Sequence, residues 1–164
     1  MAHGRDASPV IPYNELPEDK SMSHERTFRE DTDDRRLIEG TLLELSDKVA
    51  RRLRQNGVRG RVIVLKLRNS TFLTVTRQTT LNEPTCFEDD IYALSKRLLG
   101  ELPVRRIRLI GVGVAGLTRK DLSQQLSFFD PGCERRLRIT EAVDHIRDRY
   151  GERAILRATL VSLR

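Results

Sequence analysis

Residues Arg61 to Leu81 limit what this chain can fold into more than any other stretch. Two runs rich in β-branched and apolar residues flank Asn69-Ser70, a turn signal, so the segment reads as a β-hairpin. Ile63, Leu65 and Leu67 share one parity, and Lys66 and Arg68 take the other. In the second run Thr74, Thr76, Gln78 and Thr80 form a polar row. Side chains alternate across a strand, so the hairpin must have one apolar face and one polar, partly cationic face. Hydroxyls, amides and cations on a flat sheet suit a phosphate backbone.

A strand hairpin needs cover for its apolar face, and the flanking sequence supplies two helical stripes. Ser21 to Arg29 alternates Met22, His24, Arg26 and Phe28 against Ser23, Glu25 and Thr27, as a first strand would. Asp31-Thr32-Asp33-Asp34 then opens a helix, where acids cap free amides. Ile38, Leu42, Leu45, Val49 and Leu53 follow at helical spacing, and Asn56-Gly57 stops the run. After the hairpin, Thr85 and Glu88 suggest a capping box, with Phe87, Ile91, Leu94 and Leu98 as the buried stripe. Val104 to Val114 is a last strand. Its apolar parity shifts from Ile107 and Leu109 to Ile110, Val112 and Val114, which hints at a bulge or two-sided burial.

The expected fold is therefore α+β in the order β-α-β-β-α-β: a four-stranded sheet with two helices on one face and the other face open. Met1 to Asp19 carries Pro9, Pro12 and Pro17 and reads as an extended linker. Beyond Leu117 the chain turns polar. A short helix capped by Thr140 would bring Val143, Ile146 and Tyr150 to one side and stop at Gly151, and Ala154 to Leu163 is a final strand or a frayed tail.

Charge narrows the class of partner. Residues 1–34 hold four Lys/Arg against nine Asp/Glu, whereas the remainder holds 26 against 15. A basic body behind an acidic leader fits a polyanionic partner, or else an arginine-rich solvated surface. Cys86 and Cys133 match no metal spacing and read as reduced thiols, and no apolar run is long enough to span a membrane. A cytoplasmic location is expected.

The chemical motifs are weak. Gly111-Val112-Gly113-Val114-Ala115-Gly116 fits G-x-G-x-x-G, but no helix start or βαβ unit follows. Glycines at a sheet edge, where another backbone comes close, account for it better. Asp33-Asp34 and Asp89-Asp90 lie at helix starts, where capping explains them. His3, His24 and His145 have no second ligand at helical or hairpin spacing, so no metal site or catalytic set is expected. Gln125-Leu126-Ser127-Phe128-Phe129-Asp130 is a compact apolar anchor in a polar stretch, which either packs back onto the domain or enters a partner's pocket.

Several of these stretches together resemble one family. Lys20 to Phe28, Val64-Leu65-Lys66-Leu67-Arg68, Phe72 to Leu81 with Thr76-Arg77, and Arg108 to Val114 are similar to the little finger domain of Y-family translesion DNA polymerases of the DNA polymerase IV type. Gln125 to Asp130 resembles that family's sliding-clamp-binding peptide, with Phe128 where Leu is usual. Ala142 to Gly151 resembles the tail of bacterial members, and His3-Gly4-Arg5-Asp6 with Pro9-Val10 the junction leaving the thumb.

The resemblance implies a division into a linker (1–20), a little finger (21–117), a clamp-binding linker (118–136) and a C-terminal helix and tail (137–164). It implies DNA repair by translesion synthesis, with the open face gripping duplex DNA. Ser21, Ser23, Lys66, Arg68, Thr74, Thr76, Arg77, Arg106 and Arg108 are the expected DNA contacts, although Arg77 has the wrong parity unless its strand is bulged. Gln125, Leu126, Ser127, Phe128 and Phe129 would bind a bacterial sliding clamp. No cofactor is expected in this chain. Mg²⁺ would belong to the catalytic palm of a parent polymerase, and without that palm the chain should not polymerise DNA alone. The competing expectation is a stand-alone single-stranded nucleic-acid binder of the RNA-recognition type, which shares the element order but stacks bases on sheet aromatics.

Overall fold

The computed structural model describes residues 20–119 and 131–161, with side chains from Glu134 onward in the second segment. Strand β1 (Ser21–Thr32) leads into helix α1 (Arg35–Gln55). Strands β2 (Val58–Asn69) and β3 (Thr74–Thr85) form the hairpin, followed by helix α2 (Glu88–Gly100) and strand β4 (Ile107–Arg119). Helices α3 (Pro131–Tyr150) and α4 (Ala158–Val161) complete the described chain.

The four strands make one antiparallel sheet in the order β1-β4-β2-β3. β4, the last strand in sequence, inserts between β1 and β2. The expected β-α-β-β-α-β architecture is the one found. Ile63, Leu65 and Leu67 of β2 are fully buried with Ile110 and Val114 of β4, and Val112 nearly so, beneath the two helices. From α1, Ile38, Leu42, Leu45, Val49 and Leu53 all enter this core, and from α2 Ile91 and Leu98 do, with Leu94 packed beside them. Repeats of 3.6 on the helices and of 2 on the strands converge on one apolar layer, whose burial drives the fold.

Several boundaries differ from expectation. Asp31 and Thr32 belong to β1, and Asp34 caps α1: its Oδ1 accepts from the amides of Arg36 (2.9 Å) and Leu37 (3.4 Å). At α2 the expected capping box does not form, because Thr85 is still extended at the end of β3 and Phe87 occupies the cap position. The Thr85 hydroxyl accepts from the Phe87 amide (3.1 Å) and donates to Asp90 (2.6 Å), while Glu88 turns toward Arg54 and Arg157. The C-terminal helix starts at Pro131, not at Thr140, whose hydroxyl donates back to the Arg136 carbonyl (2.7 Å). Of the residues expected on one side of the helix, Val143 and Ile146 are half-buried, and Tyr150 is exposed. The Ala154 to Leu163 segment contains the short helix α4 and no described strand.

Candidate nucleic-acid interface

Register decides which side chains share the uncovered face. In an antiparallel ladder, residues directly opposite each other point the same way. Lys66 lies opposite Gly111 on one side and Thr76 on the other, and Gly111 lies opposite Glu25. The row across the sheet is thus Glu25–Gly111–Lys66–Thr76. The neighbouring rows are Ser23–Gly113–Val64–Gln78, Ser21–Ala115–Val62–Thr80 and Thr27–Leu109–Arg68–Thr74. Hydroxyls line both margins, joined by Glu25 on β1 and Gln78 on β3; between them β4 is nearly bare at Gly111, Gly113 and Ala115, while β2 carries Val62, Val64, Lys66 and Arg68. A shallow depression runs along β4, bordered by Ser21, Ser23, Glu25, Val64, Lys66 and Thr76.

The glycines of the G-x-G-x-x-G stretch therefore lie inside an interior strand, not at a sheet edge as expected. A Cβ added to Gly111 would come 2.8 Å from Glu25 Cγ, and one on Gly113 would come 3.3 Å from Ser23 Cβ. Side chains at these positions would crowd β1 and raise the floor of the depression.

Of the expected DNA contacts, Ser21, Ser23, Lys66, Arg68, Thr74 and Thr76 share this face. Lys66 Nζ is 2.8 Å from Glu25 Oε1 across Gly111, and Arg68 Nε donates to Thr74 Oγ1 at 2.8 Å. Both groups are partly solvated, so the ion pair is worth no more than about 1 kcal/mol.

The remaining three arginines lie elsewhere. Arg77 is opposite Leu65, hence on the helix side of edge strand β3, where it is exposed. Arg108 occupies a register break: Leu109 pairs with Arg68, but Ile107 pairs with Asn69. That is the bulge the parity shift hinted at, and it moves Arg108 out of the rows. Its guanidinium stands 4.9 Å from the Phe72 ring centroid and 3.6 Å from Asp31. Arg106, at φ +52°, donates its amide to Asp33 Oδ1 (2.7 Å) and accepts the Ser70 amide on its carbonyl (2.9 Å). Arg68, Arg106 and Arg108 thus gather at one end of the open face.

The same end holds residues that alternation alone did not single out. The β2–β3 connection is longer than the expected Asn69-Ser70 turn. Asn69 Oδ1 accepts from the amides of Thr71 (3.0 Å) and Leu73 (2.9 Å) and from the Thr71 hydroxyl (2.8 Å). This Asx arrangement carries Phe72 at φ +64° and leaves Phe72 and Leu73 63% and 62% exposed. Left-handed backbone at a residue other than glycine costs on the order of 1–3 kcal/mol. A hydrophobic residue in mid-turn was the available signal for this tip.

Arginines on the opposite side of the molecule are engaged internally. Arg54 of α1 meets Asp144 of α3 twice (2.6 and 3.0 Å), the Cys86 carbonyl (2.9 Å) and Glu88 (3.5 Å). Arg51 reaches Asp148 (2.6 Å) and Glu152. Arg147 is buried and grips Asp47 (2.8 Å) and the Ile155 carbonyl (3.1 Å). Arg136 pairs with Asp90 (2.9 Å) and lies 4.2 Å from the Phe87 ring centroid, and Arg157 pairs with Glu88 (2.9 Å) and Asp89 (2.7 Å). Burial opposes the charge on Arg54, but hydrogen bonding to Asp144 and the nearby carboxylates overcome it and raise its pKa. The aspartate pairs at the helix starts thus have structural partners: Asp34 caps α1, Asp33 holds the Arg106 amide, and Asp89 and Asp90 take arginines.

Residues 19–128 match the family model described as the impB/mucB/samB family C-terminal domain. The chain belongs to that family, the little finger of Y-family DNA polymerases of the DNA polymerase IV type. Over 159 residues it is 38% identical to the DNA polymerase IV of Pelotomaculum thermopropionicum and 39% identical to that of Moorella thermoacetica. Each match covers 96% of this chain and 39% of the relative, so the chain spans about two-fifths of the length of these curated relatives. Its fold is that of a PolIV little finger solved in complex with a beta-clamp processivity factor (TM-score 0.51, 22% identity, 67% of this chain and 99% of that one). In this little finger, Gln125, Leu126, Ser127, Phe128 and Phe129 lie outside the described residues.

Proposed function

We propose that this little finger holds duplex DNA by its backbone across the open sheet face and that Gln125–Phe129 tethers it to a bacterial sliding clamp, within a translesion polymerase. The observation that supports the first half is the bare stretch of β4: Gly111 lies between Glu25 and Lys66 and Gly113 between Ser23 and Val64, with Ser21, Thr74, Thr76, Gln78 and Arg68 on the same face. Such a surface offers hydroxyls and two cations to phosphates, with Lys66 shared with the Glu25 carboxylate. Phosphate contacts position a protein on DNA without reading sequence, which suits synthesis across altered templates. Arg106 and Arg108 would extend the contact at one end. Arg77 would meet DNA only beyond the sheet edge. Polymerisation and its Mg²⁺ are assigned to a catalytic core beyond these residues.

The rows of the open face contain no aromatic residue, which weighs against a single-strand platform of the RNA-recognition type. Salt titration tests the duplex proposal. Each phosphate contact adds about −0.9 to the log–log slope, so Arg68→Ala should lower its magnitude by about that much. An unchanged slope would remove Arg68 from the interface.

Similarity to the family's clamp peptide supports the second half. Burying Leu126 and Phe129 in a clamp pocket would contribute roughly 1.5–3 kcal/mol each. Clamp pull-down should therefore fail for Leu126→Ala with Phe129→Ala, while duplex binding persists. Equal capture would make the segment a linker only.

A further inference from the structure

We infer that the β2–β3 tip is a stacking site for an unpaired base where the duplex ends, with Phe72 as the platform. The inference rests on the duplex-binding proposal and extends it. Among the described residues, both non-glycine positions with positive φ, Phe72 and Arg106, sit together at this end, joined through the Ser70 amide and the Arg106 carbonyl. Strained backbone that persists next to a candidate binding face is a pointer to use. The turn is rigid, because Asn69 fixes Thr71 and Leu73 through three hydrogen bonds and accepts the Phe72 amide on its own carbonyl (3.0 Å). A large ring is thus presented to solvent with little freedom to turn away.

The surroundings identify the occupant. Arg108 stands 4.9 Å from the ring centroid, Arg68 ends the adjoining row, and exposed Arg105 and Arg106 follow in the α2–β4 connection. Asp31 and Asp33 are also present, but one pairs with Arg108 and the other holds the Arg106 amide. An exposed aromatic ring with Arg108 over one face, and further arginines close by in the chain at the rim of a polar sheet, matches a nucleotide, a π-face attached to a phosphate. Inside a duplex every base is stacked on both faces, so the ring is open to a base beyond the last stacked pair, and an unpaired base there is the occupant inferred. Leu73 would pack against the same base or its sugar.

The test compares three DNA ligands on the full chain: a blunt duplex, that duplex with a short single-stranded extension, and the same extension made of abasic sites. Abasic sites keep the phosphates and remove the bases. Alanine-scale losses for one base on one aromatic correspond to about 5- to 150-fold in affinity. The wild-type chain should therefore favour the natural over the abasic extension at least about fivefold. Phe72→Gly should erase that ratio while leaving blunt-duplex affinity unchanged and melting temperature equal or higher, since glycine relieves the left-handed backbone. Phe72→Trp should keep the ratio and quench a 2-aminopurine in the extension. A ratio of one in the wild type, as for a tip that docks a protein, or a ratio that survives Phe72→Gly, overturns the inference. No binding to the blunt duplex would instead sink the sheet-face proposal, whatever the ratio.

Discussion

The two sides of this little finger use arginine in opposite ways. On the helix side Arg51, Arg54 and Arg147 are nearly buried and matched to Asp47, Asp144 and Asp148, so their charge is consumed inside the protein. On the sheet side Arg106 is exposed and Arg68 and Arg108 are half-buried, and hydroxyls and glycines outnumber charge. The sequence pI of about 9.8 does not distinguish the two sides. What separates them is how deeply the pairs are held: Arg51, Arg54 and Arg147 are enclosed, whereas Arg108 meets Asp31 at 3.6 Å with its side chain still 43% exposed. Net charge suggests a polyanionic partner; under the proposed function, the less enclosed side is where it would dock.

The strongest way to break the contrast is to make one change on each side. Arg54→Ala would strand Asp144 and Glu88 in a partly enclosed site, and losing one member of such a pair should cost about 3 kcal/mol in a denaturant or thermal melt. Duplex affinity should hardly change. Arg68→Ala should do the reverse, leaving stability within about 0.5 kcal/mol. If both variants shifted stability equally, the two sides would not differ in the way described.

A smaller effect should follow from filling the floor. Gly111→Ala places a methyl 2.8 Å from Glu25 Cγ, so Glu25 must move and its pairing with Lys66 must adjust. Duplex binding measured by fluorescence anisotropy should weaken about tenfold, or roughly 1.4 kcal/mol. Wild-type affinity in this variant would show that DNA does not come close to β4.

The smallest effect sharpens the electrostatic side of the comparison. His24 lies on the helix side of β1, where burial, then the charges of Arg52 and Lys48, hold its imidazole below the ordinary value of 6.5. The unfolded chain therefore takes up this proton before the folded one does. The contribution is fully present above the unfolded value and is lost as pH falls through the lower folded value. His24→Gln should flatten that part of the stability–pH curve as pH falls below the ordinary value of 6.5, and an unaltered curve would show that His24 is solvated like any other.

Much of the architecture was legible because burial imposes a period. Ile38 through Leu53 on α1 and Ile63 through Leu67 on β2 could be assigned to the core by spacing alone, and all reach it. Even the bulge at Arg108 was foreshadowed by the change of parity between Leu109 and Ile110. Its consequence was not, since a bulge re-aims the very residues that strict alternation had placed on the open face. The extent of α3 was also hidden. Its surface is held by ion pairs, not by an apolar stripe, and mixed Arg, Glu and Asp over 134–148 look the same in a solvated linker. The Glu25–Lys66 pair was out of reach as well, because β1 and β2 come into register only through β4, which arrives some forty residues later in the chain.

A central strand with two side-chain-free positions has one more implication. Knobs and sockets give a bound helix preferred resting places; a smooth track gives it none. If the proposed duplex lies over Gly111 and Gly113, β4 itself would offer it little to catch on there, and any hold on a particular step would come from the neighbouring Lys66, Glu25 and Val64.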